Sequence, residues 1–237
     1  MTNSRILVFI PAYNDFEALP NLCSEILELS GARYDVLVID DGSETPLELG
    51  EALPSIKLFR MPCNFGLGTC THIAFDYALA HDYDAVIRLD ADGQHSVHDI
   101  PKVVGALRDA DVVCAVRTNR DQPDGIRGVV AKLVRKYFSY LARILTKGRS
   151  PKDVNTGFFG VTRHALNVLN QYQLERFPEP QMFILACRNE LRVSEIEILQ
   201  NNRVQGKSTL SLDQAVRMFY RFSIFVLTEC LQGAAKK

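Results

Sequence analysis

Three things are missing from this chain of 237 residues: metal-ligand spacing of cysteine and histidine, a membrane-length apolar run, and a strong net charge. The six cysteines (Cys23, Cys63, Cys70, Cys114, Cys187 and Cys230) are scattered, without a Cys-x-x-Cys pair and without histidines at ligand spacing. That argues against a zinc site or a disulfide framework and suggests a reducing compartment. The apolar stretch Phe222 to Leu227 is bounded by Arg221 and Glu229. It falls far short of the ~20 residues that span a bilayer. A net charge of −1 gives no global signal for a polyanionic partner, so nucleic acid is not expected. Met1-Thr2-Asn3-Ser4-Arg5 runs directly into a strand pattern. No signal peptide is therefore expected, and the chain is expected to be cytoplasmic, or peripheral on the cytoplasmic face of a membrane. There is no internal repeat, low-complexity tract or clear linker. A hydrophobic content of 47% and this length fit one large domain, or one domain with an appendage.

Charge is present but unevenly placed. Residues 117–152 hold ten Lys or Arg against Asp121 and Asp124, a local charge of +8 that leaves −9 for the rest. Val129, Val130, Leu133, Val134, Tyr137, Leu141, Ile144 and Leu145 recur within it near helical spacing. This reads as a basic amphipathic helix. Either it is a solvated face, or it meets anionic lipid or a phosphorylated acceptor.

Apolar strand patterns over Arg5–Ile10, Asp35–Ile39, Ile56–Arg60, Ala85–Leu89 and Val112–Val116 alternate with helical patterns over Ala18–Ser30, Gly68–His81 and Val97–Arg108. Continuous apolar strands alternating with helices predict an α/β fold, a mostly parallel central sheet covered on both faces. The second half is less regular. It reads as a short strand after Asp153, helices over Arg163–Asn170 and Pro180–Asn189, a strand over Leu191–Ile198, a polar loop at 203–208, and a closing helix over Leu212–Leu231.

Ligands of such sheets bind beyond the carboxyl ends of the strands. Those ends carry Asp15, Asp40, Asp41, Asp90 and Asp92. Five acids at one edge repel unless a cation or ligand donors compensate them. The densest piece is Leu89-Asp90-Ala91-Asp92-Gly93-Gln94-His95. In an extended segment, residues two apart face the same way, so Asp90, Asp92 and Gln94 offer three oxygens to one side. Hard cations such as Mg²⁺ or Mn²⁺ accept such a set and usually share it with substrate phosphates. Asp and Gly also end strands simply as turn formers.

Ile10-Pro11-Ala12-Tyr13-Asn14-Asp15, Val38-Ile39-Asp40-Asp41-Gly42-Ser43, Asn64-Phe65-Gly66-Leu67-Gly68 and the septet occur in this order. Together they resemble the family 2 glycosyltransferases with a GT-A fold. Asp153-Val154-Asn155-Thr156-Gly157-Phe158, Phe177-Pro178-Glu179-Pro180-Gln181-Met182 and Arg203-Val204-Gln205-Gly206-Lys207-Ser208 make the dolichol-phosphate mannosyltransferase branch the most similar. The resemblance covers about residues 5–210.

It implies a single GT-A catalytic domain over residues 1–210, with a nucleotide-sugar half at 1–118 and an acceptor half at 119–210. Residues 211–237 form a C-terminal helix facing the domain, a membrane or a partner. It further implies a nucleotide-diphospho-sugar donor and a metal-dependent, inverting transfer. Pro11, Ala12, Tyr13 and Asp15 would hold the nucleoside, Asp41 the base or ribose, and Asn64, Gly66 and Gly68 would let the backbone approach the donor. Asp92 and Gln94 would contact Mg²⁺ or Mn²⁺, and Asp90 would contact it or orient the donor.

On the acceptor side, Arg117, Arg127, Asp153, Thr156, Gly157, Arg203 and Ser208 are the implied contacts of polyprenyl phosphate or of a lipid-linked or polysaccharide acceptor. If the acceptor is a glycan hydroxyl, Glu179 is the candidate general base. The chain departs from the family at Phe159, where an arginine is usual, and in the basic helix, where no matching serine is clear. A nucleotidyltransferase would want a glycine-rich basic loop after the first strand, where this chain has Pro11-Ala12-Tyr13. A non-catalytic sugar-nucleotide-binding protein is the remaining alternative.

Overall fold

The computed structural model describes residues 4–14, 16–30, 34–47, 56–118, 125–199 and 212–235. The first half runs β1 (Ile6–Ala12), α1 (Leu19–Ser30), β2 (Tyr34–Asp40), β3 (Ile56–Arg60), α2 (Leu67–Ala80), β4 (Ala85–Arg88), α3 (Ile100–Ala106) and β5 (Val112–Arg117). The second half runs α4 (Gly125–Leu145), β6 (Phe159–Thr162), α5 (Arg163–Leu169), α6 (Glu179–Arg188), β7 (Val193–Ile198) and α7 (Leu212–Ala235). The strands form one seven-stranded sheet in the order β3-β2-β1-β4-β6-β5-β7.

β1 is buried along its whole length because both faces of the sheet are covered. Leu7 and Phe9 point into one core with Phe75, Phe138, Phe159 and Phe183. Ile6, Val8 and Ile10 point into the other, with Val38, Ile87 and Phe158. Pro11, expected in the turn, continues the strand. It pairs with Ile39 of β2 but lies beyond the last β4 pair, Phe9 with Arg88, so only one neighbour needs its backbone.

β6 departs from the parallel pattern, running antiparallel to both β4 and β5. The cause is the turn before it. The Thr156 hydroxyl donates to the Ala115 carbonyl at 2.8 Å, and the Ala115 N–H donates to the Phe158 carbonyl at 3.0 Å. Residues 153–158 are thereby tied to the end of β5, and the chain enters the sheet from that edge, with Phe159 opposite Arg88. Apolar patterning does not register strand direction, so a four-residue strand of this kind looks the same either way. The consequence is functional: the 153–158 turn lies beside the end of β4.

The helix expected over Val97–Arg108 opens as a 3₁₀ turn at Val97–Asp99, and α3 proper begins at Ile100. Pro101 then occupies the first turn, where its missing N–H is harmless. α6 is buried from Glu179 through Cys187, consistent with a helix enclosed on all sides. α7 packs on α4 through Tyr137 against Phe219, with ring centroids 4.5 Å apart, and Phe138 against Phe222, at 4.4 Å. Its Glu229 pairs with Arg188 of α6 at 2.8 Å. Among the described residues, no helix is long and apolar enough to cross a membrane.

Candidate active site

The carboxyl ends of β1, β2 and β4 meet at one edge, where Ala12 pairs with Asp40 and Phe9 with Arg88. The expected crowd of uncompensated acids is not found there among the described residues. Asp40 accepts the Ser43 N–H at 2.9 Å and lies 3.7 Å from the Arg60 guanidinium. Asp41 accepts the N–H groups of Phe65 and Gly66 at 2.8 and 2.9 Å. Burial pushes its carboxyl above the usual range, against those two donors. Asp90 is paired with Arg88 at 2.9 Å. Strand-end acids at a sheet edge thus find donors within the protein, which removes the repulsion expected of them. Asp15 lies outside the described residues.

Asp41 therefore holds the Asn64–Gly68 turn. Gly66, at φ 98, has the Arg176 side chain where a Cβ would stand, and Gly68 has the carbonyls of Leu174 and Glu175 there. The Arg176 guanidinium donates to the Asn64 side-chain oxygen. Tyr13 is exposed beside this edge, and the next residue, Asn14, is tied to the β2 turn by Ser43 at 3.0 Å.

In the septet, Gly93 takes φ 68 and turns the chain, and the Gln94 N–H donates to Asp92 Oδ1 at 3.1 Å. Asp92 and Gln94 are half-buried. Asp90 faces Arg88 instead. Burial alone would raise the Asp90 carboxyl, but Arg88, with His95 and Arg117 adding to it, holds the group below the ordinary range. Among the described residues, no three His, Cys, Asp or Glu side chains form a group able to hold a metal ion. Asp92 and Gln94, a carboxylate and an amide oxygen, are the candidate protein ligands. That donor set fits a hard cation that draws its other oxygens from water and a substrate diphosphate.

Of the residues expected on the acceptor side, Gly157 and Arg117 lie on the other flank of Asp90, Arg117 through His95. Gly157 packs on the Asp90 carboxylate, which occupies the space of a Cβ. Asp153 accepts the Asn155 N–H at 3.1 Å and is buried. Arg117 donates to His95 Nε2 at 3.2 Å. A guanidinium only donates, so Nε2 accepts and the ring is neutral with its proton on Nδ1. Burial pushes His95 down to about 4, with Arg117 adding to the effect and Asp90 opposing it. Glu179, the first residue of α6, pairs with Arg88 at 2.5 Å and is buried. Arg203, Ser208 and the Arg127 side chain lie outside what is described.

Two cations were not singled out by their sequence setting. Arg88 is buried where β4 reads as purely apolar, and the signal was a charged residue inside the run Ala85 to Leu89. Arg135 sits three residues before the buried Phe138 on α4, on the same helix face. Burial lowers its pKa, and the positive charge of Arg117 adds to the effect.

The description "Glycosyl transferase family 2" belongs to a family model that matches residues 7–169. A dolichyl-phosphate beta-glucosyltransferase of Trichomonas vaginalis is 26% identical over 93% of this chain and 75% of its own length. An undecaprenyl-phosphate mannosyltransferase of Micrococcus luteus is 27% identical over 87% of this chain and 88% of its own. Among solved structures, glucosyl-3-phosphoglycerate synthase from Mycobacterium tuberculosis, in complex with Mn²⁺, UDP and phosphoglyceric acid, superposes with a TM-score of 0.71. It is 19% identical, covering 97% of this chain and 79% of that one, a likeness of fold.

Proposed function

The chain belongs to glycosyl transferase family 2, and from that premise we propose that it transfers a sugar from a nucleotide-diphospho-sugar to a polyprenyl phosphate, with inversion at the anomeric carbon. The observation that carries the acceptor assignment is the state of Glu179. A hydroxyl acceptor needs a base within reach of its proton. Glu179 is the candidate, and its carboxylate is taken up by Arg88 in the interior. A phosphate acceptor is already anionic and needs cations instead, which Arg117, held against His95 beside Asp90, and Arg135 of α4 would offer. Two relatives carry names of dolichyl-phosphate and undecaprenyl-phosphate transferases, which supports the same choice.

In this reading the turn at Pro11, Ala12 and Tyr13, with Asp15, receives the nucleoside. Asp41 acts through the Asn64–Gly68 turn, whose backbone approaches the donor. Asp92 and Gln94 would hold Mg²⁺ or Mn²⁺; when bound, the ion supplies positive charge against the departing diphosphate. The acceptor phosphate oxygen forms a bond to the anomeric carbon as the bond to the β-phosphate oxygen breaks. The electron pair leaves with the nucleoside diphosphate, and no proton has to be removed. Gly157, in the same turn as Asp153 and Thr156, forms the floor beside Asp90, and the motif from Arg203 to Ser208, outside the described residues, is assigned to the acceptor by resemblance.

A lipid acceptor calls for work at a membrane surface. Val129, Leu133, Tyr140 and Ile144 form an exposed stripe on α4, interspersed with the exposed cations Lys132, Lys136 and Arg143. Val216, Tyr220, Ile224 and Leu227 form another on α7. Apolar stripes with basic neighbours favour peripheral binding to anionic lipid.

The test is incubation with Mn²⁺ or Mg²⁺, a panel of UDP- and GDP-sugars, and polyprenyl phosphate. Labelled glycolipid is the expected product. Absence of calorimetric binding to every sugar nucleotide defeats the reading. Transfer to glycan hydroxyls alone replaces it by the Glu179-base alternative. An Asp92→Ala variant with full activity removes the metal assignment; the expected loss is about 100-fold or more.

A further inference from the structure

Arg88 closes β4 and is 1% exposed, among the largest fully buried side chains of the protein. Burying a guanidinium costs free energy that an apolar residue would not incur. Two carboxylates from different parts of the chain offset that cost. One terminal nitrogen donates to Asp90 Oδ1 at 2.9 Å, two residues on, and the other to Glu179 Oε1 at 2.5 Å, 91 residues on. The guanidinium also lies 5.7 Å from the Phe159 ring centroid, a cation–π distance. Its Nε has no hydrogen-bond partner among the described residues. The fork is spent on two acceptors at a fixed separation, a task lysine's point charge does not perform.

Asp90 has little freedom under this arrangement. Arg88 holds Oδ1, Oδ2 lies 3.8 Å from His95 Nε2, and the backbone of Gly157 fills the space beside the carboxylate. Among the described residues, the Arg88 contact carries this cluster on to the first residue of α6.

We propose that Arg88 is a positioning residue of the transfer reaction: anchored by Glu179, its guanidinium fixes the Asp90 carboxylate and ties the septet to the helix that borders the acceptor side. The proposal rests on the reading of Asp90 as part of the transfer site. It assigns Glu179 the role of anchor for Arg88, one step removed from the reacting atoms.

The experiment compares Arg88→Met, Arg88→Lys, Glu179→Gln and the double variant Arg88→Met/Glu179→Met. Each full-length protein is assayed for transfer, for Tm, and, for Arg88→Met, by crystal structure. Misplacing a group by about 1 Å costs on the order of 100-fold in rate, so Arg88→Met is expected to lose about that much kcat with donor KM within about 3-fold. Arg88→Lys keeps the charge but loses one arm of the fork, and is expected to fall about 10-fold or more. Glu179→Gln keeps the Arg88–Asp90 pair and is expected to lose less than about 10-fold, whereas removing a general base costs about 10²–10⁴-fold.

The double variant, freed of one stranded carboxylate, should regain most of the Tm lost in Arg88→Met without regaining kcat. Recovery of both means Arg88 is only scaffold, and overturns the proposal. So does a Glu179→Gln loss in the general-base range. In the crystal structure, an Asp90 carboxylate superposing on the wild-type position overturns it, and a displaced one supports it. That last readout needs no turnover. If the wild type transfers from no donor, the transferase reading falls while the positioning claim is still decided. If Arg88→Met does not fold, the Arg88→Lys structure decides it by the same criterion.

Discussion

Asp41→Asn separates a residue that builds the Asn64–Gly68 turn from one that only touches ligand. Both Asp41 oxygens accept backbone N–H groups, Phe65 at 2.8 Å and Gly66 at 2.9 Å, and the residue is 3% exposed. Hydrogen bonds to a charged group contribute about 1.5–3 kcal/mol each, and a buried polar group left unpaired costs about 1–3 kcal/mol. Asparagine keeps one acceptor and turns its NH₂ toward the other N–H, so one bond is lost and two donors face each other. The gross cost is about 2.5–6 kcal/mol by these figures. Part of it is returned, because burial already raises the Asp41 carboxyl and the neutral amide is spared that desolvation. A net loss of roughly 2–3 kcal/mol remains after that partial return. For a chain of this size it corresponds to a Tm lower by roughly 4–12 °C. The assay is thermal unfolding at pH 7 without nucleotide, with calorimetric nucleotide binding measured alongside. A Tm within about 1 °C of wild type, joined to lost nucleotide binding, would falsify the structural role and make Asp41 a direct ligand contact.

Gly157→Ala puts a methyl group where the Asp90 carboxylate stands, so Tm and transfer should both fall; in an Asp90→Ala background, where Arg88 has already lost one partner, the same substitution should lower Tm little further. Recovery of transfer in that double variant removes Asp90 from the reaction. Asp111 accepts both arms of Arg192 and its backbone N–H, and the Arg192 hydrogen bonds hold its carboxyl below the ordinary range. A native-state pKa below the unfolded one stabilises above the unfolded value, and the gain is lost as pH falls through the native value. The Tm gap between wild type and Asp111→Asn should therefore be open at pH 7 and close in strong acid; a gap independent of pH refutes the assignment. On α7, Tyr220→Ser with Ile224→Ser and Leu227→Ser should weaken co-sedimentation with phosphatidylglycerol vesicles while leaving Tm near wild type. Unchanged sedimentation removes that stripe from membrane contact.

Much of the donor-side frame could be read from residue order because its contacts are local. The septet follows an apolar strand, Asp92 and Gln94 are two apart, and Gly93 supplies the positive φ of the turn between them. The same holds for the sheet edge, since apolar runs followed by Asp-Gly or Pro-Ala locate strand ends without knowledge of partners. The direction of β6 was hidden because a short apolar strand looks alike both ways. Arg88 was hidden because its second partner lies 91 residues away.

What residue order determined by itself was the α/β layout, the position of the septet at a strand end, and the chemistry of its oxygens. These follow from periodicity and from side chains a few residues apart. What only the tertiary structure decided was which carboxylates meet cations. Asp90 and Glu179 converge on Arg88, Asp41 turns to the backbone of residues 65 and 66, and Gly157 closes on Asp90. Compensation of a buried charge depends on distance in space, and residues 24 to 91 positions apart meet only once the sheet and α6 have assembled.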